Sequence, residues 1–117
     1  MLFSQAVNQS LDKCLQDPDC LLCGQLVRYD HSTLTRGLHV KYPNQVITYP
    51  VCENLMNASA LGLALAGKRP IVVHERFNFG IVGMDALINH IPIYGKNLPI
   101  LLLMISGYGK GQGPQQQ

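Results

Sequence analysis

The stretch ENLMNASALGLALAGKRPIVVHE, Glu53 to Glu75, decides how this sequence folds. Up to Gly67 it is rich in leucine and small residues, opens on an acid and closes on a glycine. That pattern predicts a mostly buried helix whose first turn suits the helix dipole and whose end is marked by a C-terminal glycine. The remainder, RPIVVHE, is apolar at successive positions rather than at alternate ones, as expected of a short strand covered on both faces. A buried helix that feeds a doubly covered strand predicts an α/β fold, a parallel sheet with helices on both faces.

The flanking sequence repeats the theme. CLLCG, Cys20 to Gly24, QVITYP (45–50) and LPILLLMIS (98–106) read as further short strands. In FSQAVNQSLDKCLQD, Phe3, Ala6, Val7, Leu11, Cys14 and Leu15 recur at helical spacing, so an amphipathic helix is expected, stopped by Asp17-Pro18. Residues Thr33 to Tyr42 and FGIVGMDALINHI (79–91) are also predicted to be helical.

With 117 residues, 47% of them hydrophobic and 14% charged, the chain has the composition of one small globular domain. A net charge of +2 forms no basic stripe, and the aromatic residues are not interleaved with Lys and Arg, which argues against nucleic acid as a partner. The longest apolar run, LPILLLMI, is far short of the roughly 20 residues that span a bilayer, and no signal pattern opens the chain. The expectation is a cytoplasmic protein with no membrane partner, whose cysteines Cys14, Cys20, Cys23 and Cys52 are reduced.

Several motifs fail on spacing. SGYGKGQGPQQQ, Ser106 to Gln117, suggests a phosphate loop, but Gly111 stands where Ser or Thr is needed and Met104 where the first loop glycine belongs. HERFN, His74 to Asn78, has Asn78 in place of the second zinc-protease histidine. CLLC is one CxxC whose thiols would point to opposite faces of a strand, so a structural role is expected. The histidines His31, His39, His74 and His90 share no spacing and carry no catalytic assignment. Glu53 is different, because it sits where a strand hands over to a helix, and open parallel sheets collect ligands outside the carboxyl ends of their strands.

FSQAVNQSLDKCLQDPDCLLCG, TRGLHVKYPNQVITYPVCEN, ALGLALAGKRPIVVHERFNF, GMDALINH and GYGKGQGPQ follow one another in this order. In that order the chain resembles the pyrimidine-binding domain of transketolase-like thiamine-diphosphate enzymes, in particular the beta subunit of the first component of 2-oxo acid dehydrogenases of the pyruvate type. The resemblance covers nearly the full length and implies a partial domain over residues 1–117, incomplete at its C-terminus. It further implies that Glu53 hydrogen-bonds a ring nitrogen of the cofactor's aminopyrimidine and favours the tautomer that accepts the thiazolium proton, with Phe77 packed on the pyrimidine ring. Phe79 is expected in the core. Ala58, Gly62 and Ala66 form a ridge of small residues along one helix face, read as an oligomer contact.

The same resemblance implies partners. Diphosphate and magnesium are held in the family by a domain marked Gly-Asp-Gly, which this sequence does not contain, so an alpha-type subunit is expected to supply them. A second chain with the missing C-terminal domain is a further expected partner, and the substrate would be a 2-oxo acid. Gln25 stands where the family usually has Glu, and Gln116 where it usually has His; glutamine cannot titrate near neutral pH. A split subunit, a truncated product and a diverged relative all fit the sequence. Two functional alternatives therefore stand beside the dehydrogenase or decarboxylase: a non-catalytic assembly module on the same fold, and transketolase-like two-carbon transfer.

Overall fold

A computed structural model describes residues 1–30, 32–94 and 97–106. Its elements are α1 (Phe3–Cys14), β1 (Cys20–Gly24), α2 (Leu38–Lys41), β2 (Val46–Thr48), α3 (Glu53–Leu65), β3 (Arg69–His74), α4 (Phe77–Val82), a π-helical turn (Ala86–His90), α5 (Ile91–Tyr94) and β4 (Leu101–Met104). The four strands form one sheet in the order β2-β1-β3-β4, and every pair is parallel. The predicted α/β class holds, with helices on both faces of a parallel sheet.

The apolar strands divide their side chains between two layers. On one face Cys20, Leu22, Ile71 and Val73 meet Leu11 and Leu15 from α1 and its end, and Leu38 from α2. On the other, Val72 packs on Met56 and Ala60 of α3, with Tyr49, Ile100 and Leu102 around them. The register Leu22, Ile71, Leu101 and its neighbour Cys23, Val72, Leu102 set these rows side by side. Gly24 is required where β1 closes on β3, since a Cβ there would lie 2.4 Å from the Val73 carbonyl oxygen.

Two sequence expectations are corrected and a third, the amphipathic first helix, is sharpened. The helix predicted over Thr33 to Tyr42 is confined to Leu38–Lys41, because Gly37 turns with φ 77° and Asp30 captures its N–H at 2.9 Å. The helix predicted over 79–91 starts earlier, at Phe77, and breaks at Gly83, beyond which the backbone takes a π-helical turn. On α1, which ends at Cys14, before Asp17-Pro18, Leu11 is buried and Leu15 just beyond is too, but Phe3 and Cys14 face a groove beside β4 and are exposed. The two cysteines of CLLC are buried as expected, and burial pushes the thiol of Cys20 up to about 11 and that of Cys23 up to about 12.

Candidate functional site

Because all strands run parallel, the residues that follow their carboxyl ends gather on one edge of the sheet. The chain leaving β1 enters the α1/α2 layer, whereas the chain leaving β3 enters α4, which packs against α3 on the other layer. Adjacent strands β1 and β3 thus send their loops to opposite faces. This is the switch point at which open parallel sheets form a ligand crevice.

Glu53 arrives at this edge from β2 as the first residue of α3, partly buried. Cys52, in extended backbone, offers no side-chain cap, so the acid itself occupies the first turn, where the helix dipole favours a negative charge. Gln25, immediately after β1 and buried, donates from Nε2 to Glu53 Oε1 at 3.2 Å. A neutral amide in this position holds the carboxylate without the repulsion that a second carboxylate would bring.

Beside them lies a buried polar chain. Asn57, one turn along α3 from Glu53 and fully enclosed, donates from Nδ2 to the Gly83 carbonyl at 2.8 Å. Its Oδ1 lies 2.9 Å from His74 Nε2 at the end of β3. His74 has its pKa lowered by burial, with the charge of Glu53 acting in the opposite direction. Two buried polar atoms at this end of the sheet, His74 Nδ1 and Asn78 Oδ1, have no hydrogen-bond partner among the described residues.

Phe77 opens α4, and its backbone N–H is fixed to the Ile105 carbonyl at 2.8 Å. Its ring is 49% exposed, while Phe79 two residues on is partly buried. Glu53 and Phe77 therefore come to the same edge from β2 and β3. Gln25, read in the sequence as the loss of an acid, belongs to the site as the hydrogen-bond donor to Glu53. His74 and Asn57 carry no signal in the sequence, because HERFN matches no complete motif and Asn57 lies inside a helix of small residues. Gln116, His31 and the glycine-rich tail lie outside the described residues.

Two features lie elsewhere. Ala58, Gly62 and Ala66 are exposed, so this ridge of α3 faces away from the sheet. A groove of about 420 Å³ opens at the amino ends of β1 and β3, between Lys13, Cys14, Arg69 and Leu101, away from the carboxyl edge. Among the described residues no His, Cys, Asp and Glu cluster could hold a metal ion, and no helix is long and apolar enough to cross a membrane.

The family model described as transketolase, pyrimidine binding domain, matches residues 1–117. The beta subunit of the pyruvate dehydrogenase E1 component from Bos taurus, named as mitochondrial, is 37% identical over 89 residues, covering 73% of this chain and 25% of the relative. Its counterpart from Homo sapiens is 38% identical over 88 residues, covering 72% and 24%. That of Chaetosphaeridium globosum is 28% identical over 125 residues, covering 98% and 38%. The match therefore spans between a quarter and two fifths of these relatives' length.

Proposed function

The chain belongs to the transketolase pyrimidine-binding domain family, and on that premise we propose that it supplies the pyrimidine-binding half of a thiamine-diphosphate site in a 2-oxo acid dehydrogenase or decarboxylase. The observation that carries this reading is Glu53, set on the first turn of α3 at the carboxyl edge with Gln25 on its carboxylate. The residues fit an aminopyrimidine. A carboxylate can meet a ring nitrogen, the exposed ring of Phe77 offers a flat apolar face, and the unpartnered buried Oδ1 of Asn78 leaves polar capacity at the same edge.

Thiamine diphosphate, when bound, supplies the electron sink for 2-oxo acid decarboxylation. What this chain contributes is orientation and one acid. Glu53 holds or releases a proton at Oε1 or Oε2, Gln25 fixes the direction of that carboxylate, and Phe77 supports the pyrimidine. The diphosphate and magnesium belong, in this reading, to an alpha-type partner subunit carrying the Gly-Asp-Gly domain, and the exposed Ala58, Gly62, Ala66 ridge is a surface on which subunits meet. That ridge also favours the second reading, an assembly module on the same fold without chemistry.

Co-expression with such a partner separates the two. The pair should bind thiamine diphosphate in calorimetry and turn over a 2-oxo acid, and Glu53→Gln should lower kcat by about 10²-fold or more, as loss of an acid-base group does. Cofactor-free assembly of an intact pair would leave only the module.

A further inference from the structure

We propose that His74 is a positioning residue for Glu53, acting through Asn57, a role that rests on the reading of Glu53 above. The amide of Asn57 ties three elements together, α3 that carries it, β3 through His74, and the break after α4 through Gly83. The Gly83 carbonyl can only accept, so Nδ2 must face it and Oδ1 must face the ring. Nε2 of His74 therefore carries a proton and donates to Asn57 Oδ1, and burial, which lowers the pKa of the ring, favours its neutral form.

The arrangement bears directly on the turn that presents Glu53. A Cβ on Gly83 would lie 2.4 Å from Asn57 Nδ2 and 2.7 Å from the Glu53 carbonyl oxygen, so the Gly83 backbone is seated against the Glu53–Asn57 turn itself. His74 sets Asn57, Asn57 holds Gly83, and Gly83 abuts Glu53 from one side while Gln25 grips the carboxylate from the other. A ring that only filled volume at the end of β3 would need no polar atoms, and His74, 1% exposed, keeps Nδ1 buried without a partner among the described residues. Around it, α3 contributes the charge of Glu53, the chain neighbours are Glu75 and Arg76, and the strand partner Met104 and the residues of α4 are uncharged.

Two measurements test this. On the full chain paired with its partner and labelled with ¹⁵N-histidine, long-range ¹H–¹⁵N spectra should show the Nε2–H tautomer for His74. Its titration midpoint should move down in Glu53→Gln, because the neighbouring charge is lost. In turnover assays, His74→Phe should lower kcat by roughly tenfold to a hundredfold, the scale of a displaced reacting group, while thermal unfolding shows the chain still folded. His74→Gln, which can still donate to Asn57, should restore kcat to within a few-fold of wild type. An Nδ1–H tautomer, a midpoint indifferent to Glu53→Gln, or equal kcat for His74→Phe and wild type would each overturn the role. If Glu53→Gln abolishes turnover while His74→Phe matches wild type, only the positioning role is lost. If Glu53→Gln is fully active, the reading of Glu53 fails and this proposal falls with it.

Discussion

Strands β1 and β4 are built from nearly the same residues, CLLCG and LLLM, and end in opposite circumstances. Every residue of β1 is buried, with β2 and β3 on its flanks and α1 and α2 on one face. Among the described residues β4 pairs only with β3, leaves Leu101 54% exposed, and borders α1 across an apolar groove of about 310 Å³. An apolar run thus specifies a strand that wants cover on both faces, while its place in the sheet decides how much it receives.

The difference should be largest in thiol chemistry, since both strand cysteines lie in β1. Moving the Cys23 thiol from 9.0 to about 12 lowers its thiolate fraction near pH 8 by about a thousandfold. Iodoacetamide should therefore modify exposed Cys14 and Cys52 in the folded chain, and Cys20 and Cys23 only after denaturant is added, as read by mass spectrometry. Equal labelling of all four would mean that β1 is no better covered than the edge.

Side-chain truncation carries the contrast into stability. Leu22→Ala empties a fully buried position and should cost about 2–5 kcal/mol, whereas Leu101→Ala at the edge should cost about 1 kcal/mol or less. Urea midpoints compare the two directly, and similar losses would contradict the assignment of centre and edge.

A smaller effect concerns β3, which links the two. Burial lowers the pKa of His74 below its usual 6.5, so the folded chain holds the neutral form more firmly than the unfolded chain does. The unfolded state then binds the additional proton as pH falls below about 6.5, and stability contributed by His74 is present above that value and lost beneath it. The urea midpoint of wild type should decline between pH 7 and lower pH more steeply than that of His74→Gln. Parallel slopes would place the titration elsewhere.

The sheet was readable from the sequence because doubly covered strands are uniformly apolar, and CLLCG and the Glu53 helix begin and end close to where they were expected. The short elements were not. Thr33 to Tyr42 has helical spacing, but a side-chain contact from Asp30 and a left-handed Gly37 outweigh it, and neither competes visibly at the level of periodicity. The break at Gly83 depends on Asn57, 26 residues away in sequence. The site divides in the same way: Glu53 stands out by its place after a strand and Phe77 only through the family resemblance, whereas Gln25, Asn57 and His74 acquire meaning only when three strand ends meet.

The most direct test of the central claim is thiamine-diphosphate-dependent turnover of a 2-oxo acid by the chain paired with a diphosphate-binding subunit, measured alongside Glu53→Gln at matched cofactor occupancy. The account predicts that kcat falls by about 10²-fold or more in the variant while the pair still assembles. Equal kcat in wild type and Glu53→Gln would contradict it.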